Sequence, residues 1–193
     1  MRGLRARSGG CRGRDPARMI PVHGARRGAA GPPEVGAVMA EEEAPGGYVR
    51  LLVALDLDKG AGGPDDEWLW AEPLGSGRYR LESTPFFAYG LSHGDVVRAG
   101  ESADLARVES VEHKSGHRTM RVALDAGWDL DRPEIQRFLD GLLALGCTYE
   151  AMPPKIAALD VPPEVDVGEV IARLQVQLGD GVLVWEWADP RPS

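Results

Sequence analysis

Between residues 48 and 124 the apolar positions come in short runs that alternate with turn residues. Such runs predict strands at Tyr48–Leu55, Trp68–Leu74, Arg78–Ser83, Val96–Ala99, Leu105–Glu112 and Arg118–Leu124. Asp56–Glu67 is predicted to be a loop, and Gly94-Asp95 a turn. Gly75-Ser76-Gly77 predicts a hairpin between the second and third strands, and Lys114-Ser115-Gly116 one between the last two. Short strands at this spacing predict a small barrel or a strongly bent sheet.

After residue 130 the apolar period becomes helical. Asp131 is predicted to cap a first helix that ends at Gly146, and Asp166 to cap a second helix that ends at Gly179. The apolar stripes are Ile135, Phe138, Leu139 and Leu142 in the first helix, and Val167, Val170, Ile171, Leu174 and Leu178 in the second. Strands are predicted at Cys147–Met152, Lys155–Val161 and Val182–Ala188. From Arg118 the order is β-α-β-β-α-β, the ferredoxin-like pattern.

The predicted fold is therefore α+β, with a small bent β-sheet or barrel followed by a ferredoxin-like βαββαβ unit. The predicted divisions are a leader over residues 1–47, a β-rich half over 48–117, a ferredoxin-like half over 118–189 and a tail over 190–193. The sequence leaves open whether the two halves form one domain or two.

The leader has no apolar period and is predicted to be disordered. It lacks the apolar core of a secretory signal. Residues 1–38 hold eight Arg and two acids, as a mitochondrial transit peptide would, but the many Gly and Pro oppose an amphipathic helix. We favour a third interpretation, a start codon assigned too early, because recognisable patterning follows Met39.

Charge separates the leader from the rest of the chain. Residues 39–193 hold 14 Lys and Arg against 28 Asp and Glu, a net charge of about −14, which repels nucleic acid and anionic lipid. The two cysteines, Cys11 and Cys147, do not suggest a disulfide framework, and no apolar run reaches the roughly 20 residues of a membrane span. We expect a cytoplasmic protein that binds neither nucleic acid nor membrane, and no cofactor is predicted.

The best candidate binding residues lie on one strand. His117, Thr119 and Arg121 occupy alternate positions and so share a face, where an imidazole and a guanidinium could hold an anionic ligand, with Asp95 nearby. The alternative is a polar sheet face on which Arg121 pairs with an acid such as Glu112 across the hairpin. No metal site is predicted, since Ser115-Gly116 interrupts the spacing of the histidines.

A second candidate is the aromatic segment Thr84–Gly90. Its side chains Phe86, Phe87 and Tyr89 either line a pocket or interface, or form part of a core.

Several motifs together resemble one bacterial family. These are Leu69-Trp70-Ala71-Glu72-Pro73-Leu74-Gly75, Tyr79-Arg80-Leu81, Pro85-Phe86-Phe87-Ala88, Gly94-Asp95-Val96-Val97, Ser115-Gly116-His117, Thr119 and Arg121. From Val49 to Trp187 the chain resembles domain-of-unknown-function family 4265. The resemblance implies no activity, cofactor or site residue.

The sequence thus favours a small acidic protein-binding module, comparable to an immunity protein, an antitoxin or an assembly factor, with no catalysis evident. Its partner is expected to be another protein, basic by charge complementarity. The alternative is a small-molecule anion sensor or an enzyme that uses His117 and Arg121.

Overall fold

The computed structural model describes residues 47–55, 64–102 and 105–188, all within one unit, Pro32–Ser193. Nearly all of the predicted leader, most of the Asp56–Glu67 loop and the predicted tail fall outside these ranges. The predictions made for them therefore stay predictions.

The first five strands form a closed barrel. They are β1 (Val49–Ala54), β2 (Asp66–Gly75), β3 (Arg78–Leu81), β4 (Val96–Ser102) and β5 (Leu105–His113). Each strand is antiparallel to the next, and β1 closes the barrel beside β5 in parallel, at Leu52 and Arg107. The parallel closure follows from the odd number of strands, because directions that alternate along five strands leave the first and last pointing the same way. The predicted barrel is confirmed.

The remaining elements form a second sheet with two helices. They are β6 (Arg118–Leu124), α1 (Pro133–Leu143), β7 (Thr148–Met152), β8 (Ile156–Val161), α2 (Val167–Gly179) and β9 (Leu183–Trp187). The strand order is β7-β8-β6-β9, with all neighbours antiparallel. Met120, Val122 and Leu124 of β6 are buried in one core with Leu139 of α1 and Leu174 of α2. The predicted apolar stripes of both helices are thus confirmed where side chains are described.

The helix caps differ from one another. Asp166 caps α2 as predicted, since its Oδ1 accepts the Gly168 N–H at 2.7 Å. Asp131 does not cap α1. The N-cap position belongs to Arg132, which makes no side-chain cap hydrogen bond. Arg132 precedes Pro133 and is therefore held in the extended conformation, so the N-cap position lies one residue later than predicted.

The predicted hairpin between Leu105–Glu112 and Arg118–Leu124 is wrong. β5 pairs with β4 and β1, whereas β6 lies between β8 and β9 in the other sheet. Closure of the barrel explains the difference, because β5 has strands on both sides and no edge is left for β6. The turn at Lys114-Ser115-Gly116 leads from the barrel into the second sheet.

Residues 82–95, here called the connecting segment, join β3 to β4 and lie on the second sheet. Thr119 Oγ1 donates to Leu91 O at 3.2 Å, Gly90 N–H to Ala188 O at 2.8 Å and Thr84 N–H to Glu150 Oε1 at 2.6 Å. The segment also supplies Ala88 and Leu91 to the barrel core. It therefore buries the face of the sheet that carries the candidate residues of β6.

Candidate functional site

Arg121 is buried beneath the connecting segment. Its guanidinium donates to Glu186 Oε1 at 2.9 Å and to Ala88 O, and its central carbon lies 4.4 Å from the centroid of the Tyr89 ring. The predicted pairing of Arg121 with Glu112 across a hairpin is wrong, because Glu112 lies in the other sheet and pairs with Arg98. Arg121 thus links the sheet to the barrel, and only its Nε lacks a hydrogen-bond partner among the described residues.

His117 lies immediately before the same strand and has a different set of contacts. Its Nδ1 is 2.7 Å from Oδ1 of Asp160, a carboxylate that is 2% exposed, and its ring packs edge-on against His93 at 5.3 Å between centroids. A buried carboxylate on Nδ1 fixes the orientation of the ring. The histidine is partly buried, so it does not stand on an open binding face.

Asp95 is completely buried and organises the turn that leads into β6. Its Oδ1 accepts the Ser115 N–H at 2.8 Å, and its Oδ2 accepts the Ser92 N–H at 2.9 Å and Lys114 Nζ at 2.6 Å. The adjacent Gly94 has φ of +78°, and a Cβ there would come within 3.1 Å of Ser115 Cβ. Asp95 therefore holds two turns together, and its carboxylate oxygens are already bonded.

The aromatic segment is held by a carboxylate that the sequence reasoning missed. Glu67 is buried, and its oxygens accept the backbone N–H groups of Phe86, Phe87 and Ala88 at 2.6, 3.1 and 2.7 Å. The signal was present, since Glu67 has the same strand parity as the buried Leu69 and Ala71. An acid at a core-facing position usually has partners that require it.

The three aromatic side chains of this segment differ in burial. Phe86 is buried, whereas Phe87 and Tyr89 are half-buried. The Tyr89 hydroxyl donates to Glu186 Oε2 at 2.9 Å, and its phenol pKa is raised by burial and then by Glu186. Tyr89 belongs with Arg121 and Glu186 in the contact between segment and sheet.

Glu150 is a second missed carboxylate. Burial raises its pKa to about 7; the Glu67 and Asp160 carboxylates add to the shift, and the hydrogen bond from Thr84 N–H opposes it. It lies on β7 in register with Ala158, which in turn faces Arg121 across β8 and β6. A protonatable carboxyl thus lies in the contact between the connecting segment and the sheet. Nothing in the sequence distinguished Glu150 from the many other acids of the chain.

The structure therefore places the candidates of β6 and its approach in one contact region, where each bonds a different group of the protein. His117 bonds Asp160, Thr119 bonds Leu91 O, and Arg121 bonds Glu186 and Ala88 O. Among the described residues, no three His, Cys, Asp or Glu side chains are grouped so as to hold a metal ion. In that part of the chain, neither helix has the length and apolar character needed to cross a bilayer.

A more accessible cluster lies on the outer wall of the barrel. Trp68 is 44% exposed, and the guanidinium of Arg50 lies 5.9 Å from the centroid of its ring and 5.1 Å from that of Trp70. Arg50 and Trp70 are directly opposite in the β1–β2 ladder. Beyond them, the single cation of Arg80 pairs with both Glu72 and Glu82, which leaves carboxylate in excess. We call Arg50, Trp68 and Trp70 the tryptophan cluster.

These features define an α+β protein in which a closed five-stranded barrel is joined to an antiparallel sheet with two helices. The chain belongs to the family described as domain of unknown function DUF4265, which it matches over residues 67–185. The resemblance noted from the sequence motifs is confirmed.

The fold also occurs in a solved structure, described as a novel crystal structure of a hypothetical protein from Neisseria gonorrhoeae. That chain is 14% identical, and the match covers 75% of the present chain and 98% of that one, with a TM-score of 0.61. No curated protein matches the chain significantly.

Proposed function

We propose that this protein is an acidic protein-binding module whose partner is basic. The observation that carries the proposal is the tryptophan cluster, in which a large indole is nearly half exposed beside a second indole and an arginine. Trp and Arg are the residues that most often dominate the energy of protein interfaces. The excess of carboxylate around Arg80 and the charge of about −14 on residues 39–193 favour a cationic partner.

The alternative, an anion sensor or an enzyme that uses His117 and Arg121, has weaker support. Arg121 is already bonded to Glu186 and Ala88 O, so an anionic ligand would have to displace groups of the protein itself. The His117–Asp160 pair is the one feature that favours it, because a carboxylate on Nδ1 is how many enzymes orient a histidine base.

We also propose that the second sheet is a ferredoxin-like unit. The support is its β-α-β-β-α-β order together with the antiparallel strand order β7-β8-β6-β9. Fold-level analogy of this kind carries no function with it.

The binding proposal is tested by selecting random peptides from a display library against the full chain. Enriched peptides should be rich in Lys and Arg, and the affinity of the synthesised peptides should fall as salt is raised. Trp68→Ala should weaken their binding by about tenfold or more, as expected for a central interface residue.

Leu74→Ala is the matched control, because Leu74 lies on the same strand and is 37% exposed. Its binding should equal that of the unaltered chain. Selection of neutral or acidic peptides, or equal binding by the Trp68 and control variants, would contradict the proposal.

A further inference from the structure

The connecting segment does not cover the whole face of the second sheet. It bonds Thr119, Arg121 and Glu150, which lie in two adjoining rows across the strands. The next row contains one apolar residue from each strand, paired in register across the sheet: Met152, Ile156, Ala123 and Val184. None of these four belongs to either buried core, and Val184 is 59% exposed. The apolar row thus continues to the edge of the sheet, where its inner members Ala123, Met152 and Ile156 are partly buried and its outermost member, Val184, is exposed.

That edge is β9, which pairs with β6 on one side. In the described part of the chain no strand pairs with its other side. β9 contains no Pro, no Lys and no irregularity of register, which are devices that commonly block strand addition at an edge. The Ala188 N–H donates to Thr119 O on β6, so by alternation the N–H groups of Leu183, Trp185 and Trp187 point away from the sheet.

Charge along β9 indicates what kind of strand would fit. Glu186 stands two residues from Val184 on the same face, and its side chain is half exposed although it bonds Arg121 and Tyr89. A second copy of β9 fits poorly. The antiparallel register that pairs all five residues of two copies sets the apolar Val184 against Glu186 and brings the carboxylate no cation besides Arg121.

We infer that β9 is the docking edge for an extended segment of a basic protein partner, which adds to the sheet as a fifth strand. The segment carries an apolar side chain beside Val184 and, two residues along, a Lys or Arg beside Glu186. Backbone hydrogen bonds to the outward N–H groups supply affinity, and the alternate side chains supply specificity. The inference rests on the proposed function, since it takes the partner to be a basic protein, but it uses a surface separate from the tryptophan cluster.

The probe is a synthetic nonapeptide in which threonine alternates with valine and arginine, so that Val and Arg fall on one face of an extended strand. A peptide of the same composition, with Val and Arg moved to opposite faces, is its control. Binding to the full chain is followed by amide NMR shifts and by hydrogen exchange. We expect the alternating peptide alone to protect the amides of Leu183, Trp185 and Trp187.

Val184→Lys should lower affinity for the alternating peptide by about tenfold or more, because it places a cation in the apolar row beside the incoming arginine. Val176→Lys is the matched control, since Val176 is 64% exposed on α2, and it should bind as the unaltered chain does. No protection of the three amides, or equal affinity of the two lysine variants, would overturn the inference.

Three further results distinguish failure of this inference from failure of the proposed function. If Trp68→Ala abolishes binding of the alternating peptide and Val184→Lys does not, the proposed function stands and the assignment of β9 as the docking edge is wrong. If sedimentation shows a dimer of the full chain that Val184→Lys dissociates, the edge serves a second copy and the inference is likewise overturned. If the library selection yields no basic peptides, the proposed function fails on its own test.

Discussion

The barrel and the helix-covered sheet differ in which elements supply their buried cores. Among the residues whose side chains are described, the barrel core contains nine that are buried, and two of them, Ala88 and Leu91, come from the connecting segment and not from a strand. By the same measure the core of the sheet contains sixteen, supplied by its strands, both helices and the adjoining loops. The backbone carbonyls of the same Ala88 and Leu91 accept hydrogen bonds from Arg121 and Thr119. The barrel therefore depends on the sheet more than the sheet depends on the barrel.

The largest expected effect is in the core of the sheet. Leu174→Ala and Leu139→Ala each remove a side chain that is fully buried, and each should lower the free energy of unfolding by about 2–5 kcal/mol. Chemical denaturation measures the change, and the exposed Val176→Ala is the control. A loss below about 1 kcal/mol at both leucines would show that the sheet is not the more stable region.

Removal of Arg121, which joins the sheet to the connecting segment and so to the barrel, should have the next largest effect on stability. Arg121→Ala leaves Ala88 O without its donor and should lower the free energy of unfolding by about 2–3 kcal/mol. In this variant we expect amide hydrogens to exchange faster in the barrel than in the sheet. Arg121→Lys keeps the charge but not the forked geometry, and should recover part of the loss. Equal hydrogen-exchange rates in the barrel and the sheet of this variant would contradict the conclusion that the barrel depends more on the sheet.

The stability of the contact between the connecting segment and the sheet should also depend on pH, because Glu150 lies in that contact. Its pKa in the folded protein is raised to about 7 from 4.5, so the folded state binds the proton more tightly than the unfolded state. The stabilisation is therefore complete below pH 4.5 and is lost as the pH rises through 7, by on the order of 3 kcal/mol. Glu150→Gln keeps an acceptor for the Thr84 N–H and should remove this fall when unfolding is measured at several pH values. An unchanged pH profile in the variant would place the titration elsewhere.

The smallest effect is expected at Cys147, in the core of the sheet. Burial raises its thiol pKa to about 11, with a further contribution from Asp160, so the thiolate is scarce at pH 8. In the full chain carrying Cys11→Ser, we expect no labelling by a thiol reagent until the protein is unfolded. Rapid labelling of the native protein would mean that this core opens more readily than the barrel.

The sequence predicted most elements because their signals are local. The apolar stripes of both helices and the turn at Gly75-Ser76-Gly77 need no knowledge of the rest of the chain. The pairing of β5 with β6 was predicted wrongly because a turn signal at Ser115-Gly116 looks the same whether the next strand folds back or leaves for another sheet. Only closure of the barrel decides between the two.

The partners of the candidate site could not be predicted for a related reason. Alternation of Met120 and Val122 with Thr119 and Arg121 indicates two unlike faces, but it left open whether the polar face holds a ligand or pairs with an acid. Both faces of β6 are in fact buried from Thr119 to Val122, one by helices and one by the connecting segment. The acids that satisfy this polar face, Asp160 and Glu186, are distant in sequence from Arg121 and His117. No spacing rule would have paired them.

The parallel closure of β1 against β5 bears on how the chain can be cut. The family match begins at residue 67, inside β2, and so leaves out β1. A fragment trimmed to that boundary would lose Leu51 and Val53 from the barrel core and would unpair β2 and β5 along one side. Two unpaired strand edges on one small sheet invite intermolecular association. Expression of a soluble fragment therefore calls for a boundary ahead of Val49.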